Sequence, residues 1–275
     1  MNDIITLFDM DGTLTEPRQS FDTDLFPILS KLADVSDIGI VSGSDYGYIQ
    51  EQLHFLMHKT SIRYQTHILP CNGTKHYTPP KHSSDDFTLK SQVDMWSEIG
   101  EESFRDLMNF ILKRQSSYAS DLPCLSGHFV DYRGSMINWC PIGRNANQKQ
   151  REAFVQWDTS FGFRNIELTF MNNLQLFKDN GLIAKLGGDT SFDIFPQGWD
   201  KTYCLKHLDN YDKVFFVGDR CGDGGNDKEL YDELQPDHSF STSSPKHTAR
   251  IIESIISKKL KYLSPRRMLG MTKRK

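Results

Sequence analysis

A run of apolar and β-branched residues, Ile4-Ile5-Thr6-Leu7-Phe8, passes directly into Asp9-Met10-Asp11-Gly12-Thr13-Leu14-Thr15, and this junction constrains the fold more than any other stretch. A short apolar run of this kind predicts a buried strand, with Asp9 and Asp11 at its C-terminal end. In an open α/β sheet that end is where ligands bind. A two-residue spacing puts both carboxylates on one side, Gly12 permits a tight turn, and Thr13 offers a hydroxyl and an N–H to an anion. Standing alone, an Asp-x-Asp pair is more often a solvated turn or a helix cap.

The rest of the chain supplies the context. Asp22 to Ala33 carries Leu25, Phe26, Leu29 and Leu32 at helical spacing, with Pro27 near the start. Val35 to Val41 reads as a second buried strand ending in Ser42-Gly43-Ser44-Asp45, where Ser44 or Asp45 would cap the helix through Ile49 and Leu53. A helix N-terminus is also an anion site, so the two roles are compatible. Ile68 to Gly73 reads as strand and turn, and the polar, Pro-containing stretch from Thr78 to Asp86 as a linker. Beyond it the spacing predicts helices over 100–118, 147–157 and 166–177. Strands are expected within 124–140, flanking Arg133-Gly134, and over 183–186 and 192–195. From Asp200 the α/β pattern returns: a helix opening at Asp200-Lys201, an almost wholly apolar strand Lys213 to Val217 ending in Gly218-Asp219, then Gly224-Gly225-Asn226-Asp227. A last amphipathic helix falls near His247 to Ile256.

These elements describe an α/β core, residues 1–80 and 197–257, interrupted by an α+β insertion, residues 81–196, and followed by a basic tail, residues 258–275. A length of 275 residues suits one large or two modest domains, and a net charge of -4 gives no global basic field for nucleic acid. The five cysteines are scattered without a CxxC pair, which argues against a disulfide framework or a zinc site and for a reducing cytoplasm. No signal-like segment and no long apolar run predict secretion or membrane insertion. A run of basic residues such as the tail is usually a solvated surface.

Taken in order, Asp9-x-Asp11-Gly-Thr, then Ser44, then Lys201, then Gly-Asp219 with Asn-Asp227 resembles the haloacid dehalogenase superfamily of phosphotransferases. The resemblance implies a Rossmannoid core bearing a cap, with Asp9 as the nucleophile that takes up a phosphoryl group and Asp11 as the general acid/base. It also implies Mg2+ held by Asp9, Asp11 through its backbone carbonyl and Asp219, with Asp227 either a direct ligand or one step behind them. Carboxylates converging from separate strands need such a cation among them. Lys201 would neutralise the transferring group.

The insertion narrows the resemblance. Arg133-Gly-Ser-Met-Ile-Asn138-Trp-Cys-Pro-Ile-Gly-Arg144, Arg151, and Ser191-Phe-Asp193-Ile-Phe-Pro-Gln-Gly-Trp-Asp200-Lys201 are similar to the eukaryotic-type phosphomannomutase family. That likeness implies that Arg133 and Arg144 grip the phosphate that is not reacting. Arg151, Ser191 and Asp193 would help to hold it and the sugar, and Arg18 would join from the core. It further implies a hexose 1,6-bisphosphate activator, hexose phosphate substrates, a homodimer through the cap and a place in GDP-mannose synthesis. Three arginines could equally be exposed salt-bridge partners, although guanidinium forks match phosphate oxygens in a way lysine does not. Ser42, Cys71 and the loop Arg220 to Asp223 depart from the family pattern, and Lys81 to Ser126 is not matched to it. The alternative is a magnesium-dependent sugar-phosphate phosphatase on the same core; a purely regulatory protein fits poorly with intact Asp9, Asp11, Lys201 and Asp219.

Overall fold

The apolar run after the N-terminus forms strand β1 (Ile4–Phe8), and its side chains alternate between two buried layers. Ile5 and Leu7 pack with Val41, Leu69 and Phe216, whereas Phe8 packs on the other face with Leu29, Ile38, Ile40 and Ile252. The structure, a computed structural model, describes residues 2–269 and side chains as far as Lys258. The chain continues through helix α1 (Phe26–Ala33), with Pro27 in its first turn, to strand β2 (Asp37–Val41) and helices α2 (Tyr46–Gln52) and α3 (His54–Lys59). Asp45 is the N-cap of α2, accepting from Tyr48 N at 2.8 Å, so of the two expected capping residues the side-chain bond falls to Asp45. Strand β3 (Thr66–Leu69) follows, then a hairpin of β4 (Lys75–Thr78) and β5 (Thr88–Gln92).

That hairpin corrects an expectation. The stretch from Thr78 to Asp86, read as an interdomain linker, runs from the end of β4 through the hairpin loop, and the chain leaves the large sheet only after Gln92. Every residue of β5 is exposed, so no apolar alternation marks it in the sequence.

The insertion contributes helices α4 (Met95–Ile99) and α5 (Glu101–Tyr118), then strands β6 (Val130–Tyr132) and β7 (Ile137–Trp139). Gly134 turns between these strands at φ 86, a conformation that favours glycine. Helix α6 (Gln148–Phe161) opens with a capping box of Asn147 and Gln150. The single helix expected next is two, α7 (Phe163–Asn173) and α8 (Gln175–Asp179), separated by Leu174 in extended geometry. Strands β8 (Leu182–Gly187) and β9 (Ser191–Pro196) complete an antiparallel sheet of order β6-β7-β9-β8. Its core is a separate cluster around Trp139, Phe154, Phe177 and Phe192, braced by Gln115, which accepts from Trp139 Nε1 at 2.8 Å.

After this cap a 3₁₀ helix (Lys201–His207), rather than an α-helix, leads to β10 (Lys213–Gly218), α9 (Lys228–Glu233), β11 (Ser239–Ser241) and α10 (Pro245–Leu269). The large sheet has order β11-β10-β1-β2-β3-β4-β5; the first five strands are parallel and the hairpin antiparallel. Most of the basic tail, beyond Lys258, lies outside the residues whose side chains are described. Among the described residues no helix is long and apolar enough to cross a membrane.

Candidate active site

Parallel pairing explains why carboxylates distant in sequence meet. Phe8 of β1 stands beside Val217 of β10, and Asp9 N donates to Val217 O at 3.0 Å, so Asp9 and Asp219 leave adjacent strands at the same level. Gly12 closes the first loop at φ 83, and a Cβ there would lie 2.4 Å from Asp219 Oδ2. Asp227 is fully buried and accepts from Arg220 N at 2.9 Å. Among the described residues, carboxylate oxygens of Asp9, Asp219 and Asp227 lie within 4.8 Å of one another.

Lys201 is the internal cation of this group. It is fully buried, with Nζ 2.6 Å from Asp9 Oδ1 and 2.5 Å from Asp227 Oδ1. Burial pushes the ammonium pKa down, but Asp227 and Asp9 outweigh burial and hold it above the ordinary lysine value. Burial, and then repulsion from Asp227 and Asp219 against the pull of Lys201, raises the Asp9 carboxyl. Asp219 is raised by burial and by Asp227, and its Oδ1 is buried without a hydrogen-bond partner. Lys201 thus bonds two of the three carboxylates, Arg220 Nε stands 4.0 Å from Oδ2 of the third, Asp219, and Asp219 Oδ1 is left unpartnered. This donor set suits a hard divalent cation with oxygen ligands.

Asp11 contributes no carboxylate to that group. Its Oδ1 instead accepts from Arg18 N at 2.9 Å and from Tyr48 Oη at 3.2 Å, facing the cleft between core and cap. The cleft has a volume of about 810 Å³, and Asp9, Asp11, Arg18, Ser44, Arg133, Arg144, Arg151, Ser191, Asp193 and Asp219 all line it. Lys201 and Asp227 lie behind this lining.

Opposite the acids stands the cationic wall. Arg133 is buried, donating through Nη1 to Gly43 O at 2.7 Å and through Nε to Asp131 at 3.0 Å, which ties the cap to the core loop that carries Ser44. Arg144 Nη1 donates to Asn138 Oδ1 at 2.9 Å. Arg151 donates to Ala146 O, Thr190 Oγ1 and Arg144 O at 3.0, 2.8 and 2.9 Å, so much of its fork is spent on holding the loop. Burial, followed by Arg133 and Arg18, pushes the Arg144 pKa down; burial and Arg18 do the same to Arg151. Cations held close enough to depress one another form a site for an anion. Asp193, buried on β9, is raised by burial against the pull of Arg133, and its Oδ1 accepts from Asn138 Nδ2 at 2.7 Å.

Tyr48, Asn138, Asp131, Thr190 and Arg220 were not singled out from the sequence. Asn138 falls inside the motif that carries Arg133 and Arg144, which was the one available signal. Asp131 meets Arg133 from two residues away on the same segment, and Tyr48, Thr190 and Arg220 are brought to the cleft or to its arginines by tertiary placement.

The fold and site define a capped core of the haloacid dehalogenase type. Among solved structures the chain is similar to IMP-bound IMP-nucleotidase of Plasmodium falciparum, with a TM-score of 0.59 at 16% identity over 93% of this chain and 68% of that one. It is also similar to a trehalose-6-phosphate phosphatase related protein, with a TM-score of 0.50 at 14% identity over 94% and 99%. The chain belongs to the eukaryotic phosphomannomutase family, whose model matches residues 25–258. It is 35% identical to phosphomannomutase 2 of Dictyostelium discoideum over 93% of this chain and 97% of that protein. It is 36% identical to the phosphomannomutase of Encephalitozoon cuniculi over 92% and 94%.

Proposed function

We propose that this protein is an isomerase that interconverts mannose 1-phosphate and mannose 6-phosphate through a phosphoryl group carried on Asp9. The observation that carries this reading is the cleft itself: a carboxylate cluster with a buried lysine on the core side, Arg133, Arg144 and Arg151 contributed by the cap, and Arg18 reaching in from the core loop beside Asp11. A phosphatase needs to hold only the phosphate it removes. A mutase must hold a second phosphate while the first reacts, and then exchange the two, which is the task such a cationic wall suits.

In this reading Asp9 attacks the phosphorus and Lys201 offsets the charge that develops on it. Asp11 takes the proton from the attacking sugar hydroxyl in one direction and returns it to the leaving oxygen in the other. Asp9, Asp219 and Asp227, with the backbone carbonyl of Asp11, would hold Mg2+, which supplies charge neutralisation at the phosphoryl oxygens. Arg144 and Arg18, assisted by Arg133, Arg151, Ser191 and Asp193, would grip the spectator phosphate and the sugar hydroxyls, and Ser44 the transferring group. A hexose 1,6-bisphosphate primes Asp9. The product would feed GDP-mannose synthesis.

All five cysteines are free, which fits a reducing cytoplasm. Leu112, Phe161, Ile166 and Phe170 are exposed on the cap helices and support a homodimer through the cap. The test of the chemistry is rapid-quench mass spectrometry after mixing with glucose 1,6-bisphosphate and Mg2+. One added phosphoryl group, lost in Asp9→Asn, supports the assignment; an equally phosphorylated Asp9→Asn protein overturns it.

A further inference from the structure

Asp11 Oδ1 already carries two donors, Arg18 N at 2.9 Å and Tyr48 Oη at 3.2 Å. An ionised carboxylate oxygen offers about two lone-pair directions, so this oxygen is saturated by the protein. We propose that Tyr48 is a positioning residue for phosphoryl transfer: its hydroxyl, with the Arg18 N–H, pins Asp11 Oδ1 so that Oδ2 is the atom that carries the proton. This rests on Asp11 being the general acid/base.

Tyr48 is fixed at the start of α2, where its N–H donates to Asp45 Oδ1 at 2.8 Å, and its side chain lines the cleft. An ionised carboxylate oxygen only accepts, so in this contact the phenol hydroxyl is the donor. Arg18 reaches its place with φ 62, in the left-handed region that disfavours a non-glycine residue. That strained backbone aims the Arg18 N–H at Asp11.

The step balances. As the sugar hydroxyl oxygen bonds to phosphorus, the Asp9–phosphorus bond breaks and the hydroxyl proton passes to Oδ2. In the reverse direction Oδ2 returns the proton to the sugar oxygen as its bond to phosphorus breaks and the Asp9 bond forms.

The test uses Tyr48→Phe, which removes the hydroxyl and keeps the ring, with two phosphoryl donors. Glucose 1,6-bisphosphate leaves as a basic alkoxide that needs a proton; p-nitrophenyl phosphate leaves without one. Single-turnover phosphorylation of Asp9 by the bisphosphate is expected to slow about 10-fold or more, with half-saturation unchanged, because general acid catalysis contributes of order 100-fold or more. Phosphorylation by p-nitrophenyl phosphate is expected to stay within about 2-fold of wild type. Arg18→Gly keeps the N–H and removes the guanidinium, so it is expected to raise half-saturation for the bisphosphate while the saturating rate stays within about 2-fold of wild type, the reverse of the pattern expected for Tyr48→Phe. Equal losses with both donors in Tyr48→Phe, or no loss with either, overturn the proposal. A wild-type protein that neither donor phosphorylates on Asp9 overturns the parent reading, and this one with it.

Discussion

Arg220 Nη2 lies 2.5 Å from Asp189 Oδ1, an ion pair that runs from the core loop beside Asp219 to the β8–β9 turn of the cap. A second pair, Lys185 with Glu229, crosses the same seam from β8 to α9. Of their core partners, Arg220 directly follows Asp219 and Glu229 stands two residues after Asp227. The seam that closes the cap is therefore built into the loop that supplies two of the clustered carboxylates.

The Arg220 pair is substantially exposed, and pairs of this kind contribute about 0.2–1 kcal/mol and weaken with salt. Asp189→Asn should leave the unfolding midpoint nearly unchanged while loosening the cap. The expected result is up to about a 5-fold rise in the ratio of inorganic phosphate released to sugar phosphate isomerised. Phosphate assays run beside isomerisation assays at low and high salt check this, and the wild type should move towards the variant as salt rises.

Lys201 should matter to stability as well as to chemistry. Removing the buried partner of Asp9 and Asp227 leaves uncompensated charge, a change that typically costs about 3–5 kcal/mol. Lys201→Met should unfold at markedly lower urea than wild type. Mg2+ should restore more stability to the variant than to the wild type, because a dication can replace the missing charge. Urea titrations with and without Mg2+ read both effects.

Arg144 is the arginine with the clearest claim on a ligand, being held by Asn138 at one nitrogen and standing 3.6 Å from Asp131 at another. Arg144→Ala should weaken substrate binding by roughly 1.5–3 kcal/mol, the scale of a charged hydrogen bond, which corresponds to about 10- to 150-fold in KM. Steady-state kinetics with unchanged KM and kcat would contradict the clamp.

Acid should destabilise the core through histidines remote from the cleft. His67 Nδ1 and His76 Nε2 are 2.9 Å apart, and Tyr211 links His67 to Asp37. Burial lowers the His67 pKa to about 4 and, with help from His67, the His76 pKa to about 3. Both fold as neutral rings, so their stabilisation is complete above the unfolded value of about 6.5 and falls as pH drops towards 4, where the unfolded chain binds the extra protons. For His67 alone the loss is about 2 kcal/mol by pH 5. Urea unfolding of wild type and His67→Asn at pH 7.5 and pH 5 checks it: the wild type should lose more stability than the variant.

How legible this was depended on how local the information is. The strand before Asp9 and the loop at Asp219 announce themselves because apolar alternation and glycine turns are encoded residue by residue. Their convergence, by contrast, comes from the pairing of β1 with β10 across two hundred residues of sequence, and only the resemblance supplied it in advance. Strand β5 was invisible because it is exposed along its whole length and owes its existence to pairing with β4. Tyr48 read as an ordinary helix residue, since nothing near it in sequence shows that its hydroxyl reaches Asp11. Arg220 belonged to a stretch already marked as a departure from the family pattern, but its partner Asp189 lies in the cap and could not be paired with it from sequence.

The central claim is that the cleft returns the phosphoryl group to a sugar rather than to water. Phosphorus NMR of the purified protein with Mg2+, mannose 1-phosphate and catalytic glucose 1,6-bisphosphate tests it directly. The account predicts the growth of mannose 6-phosphate at the expense of mannose 1-phosphate; accumulation of inorganic phosphate without mannose 6-phosphate would contradict it.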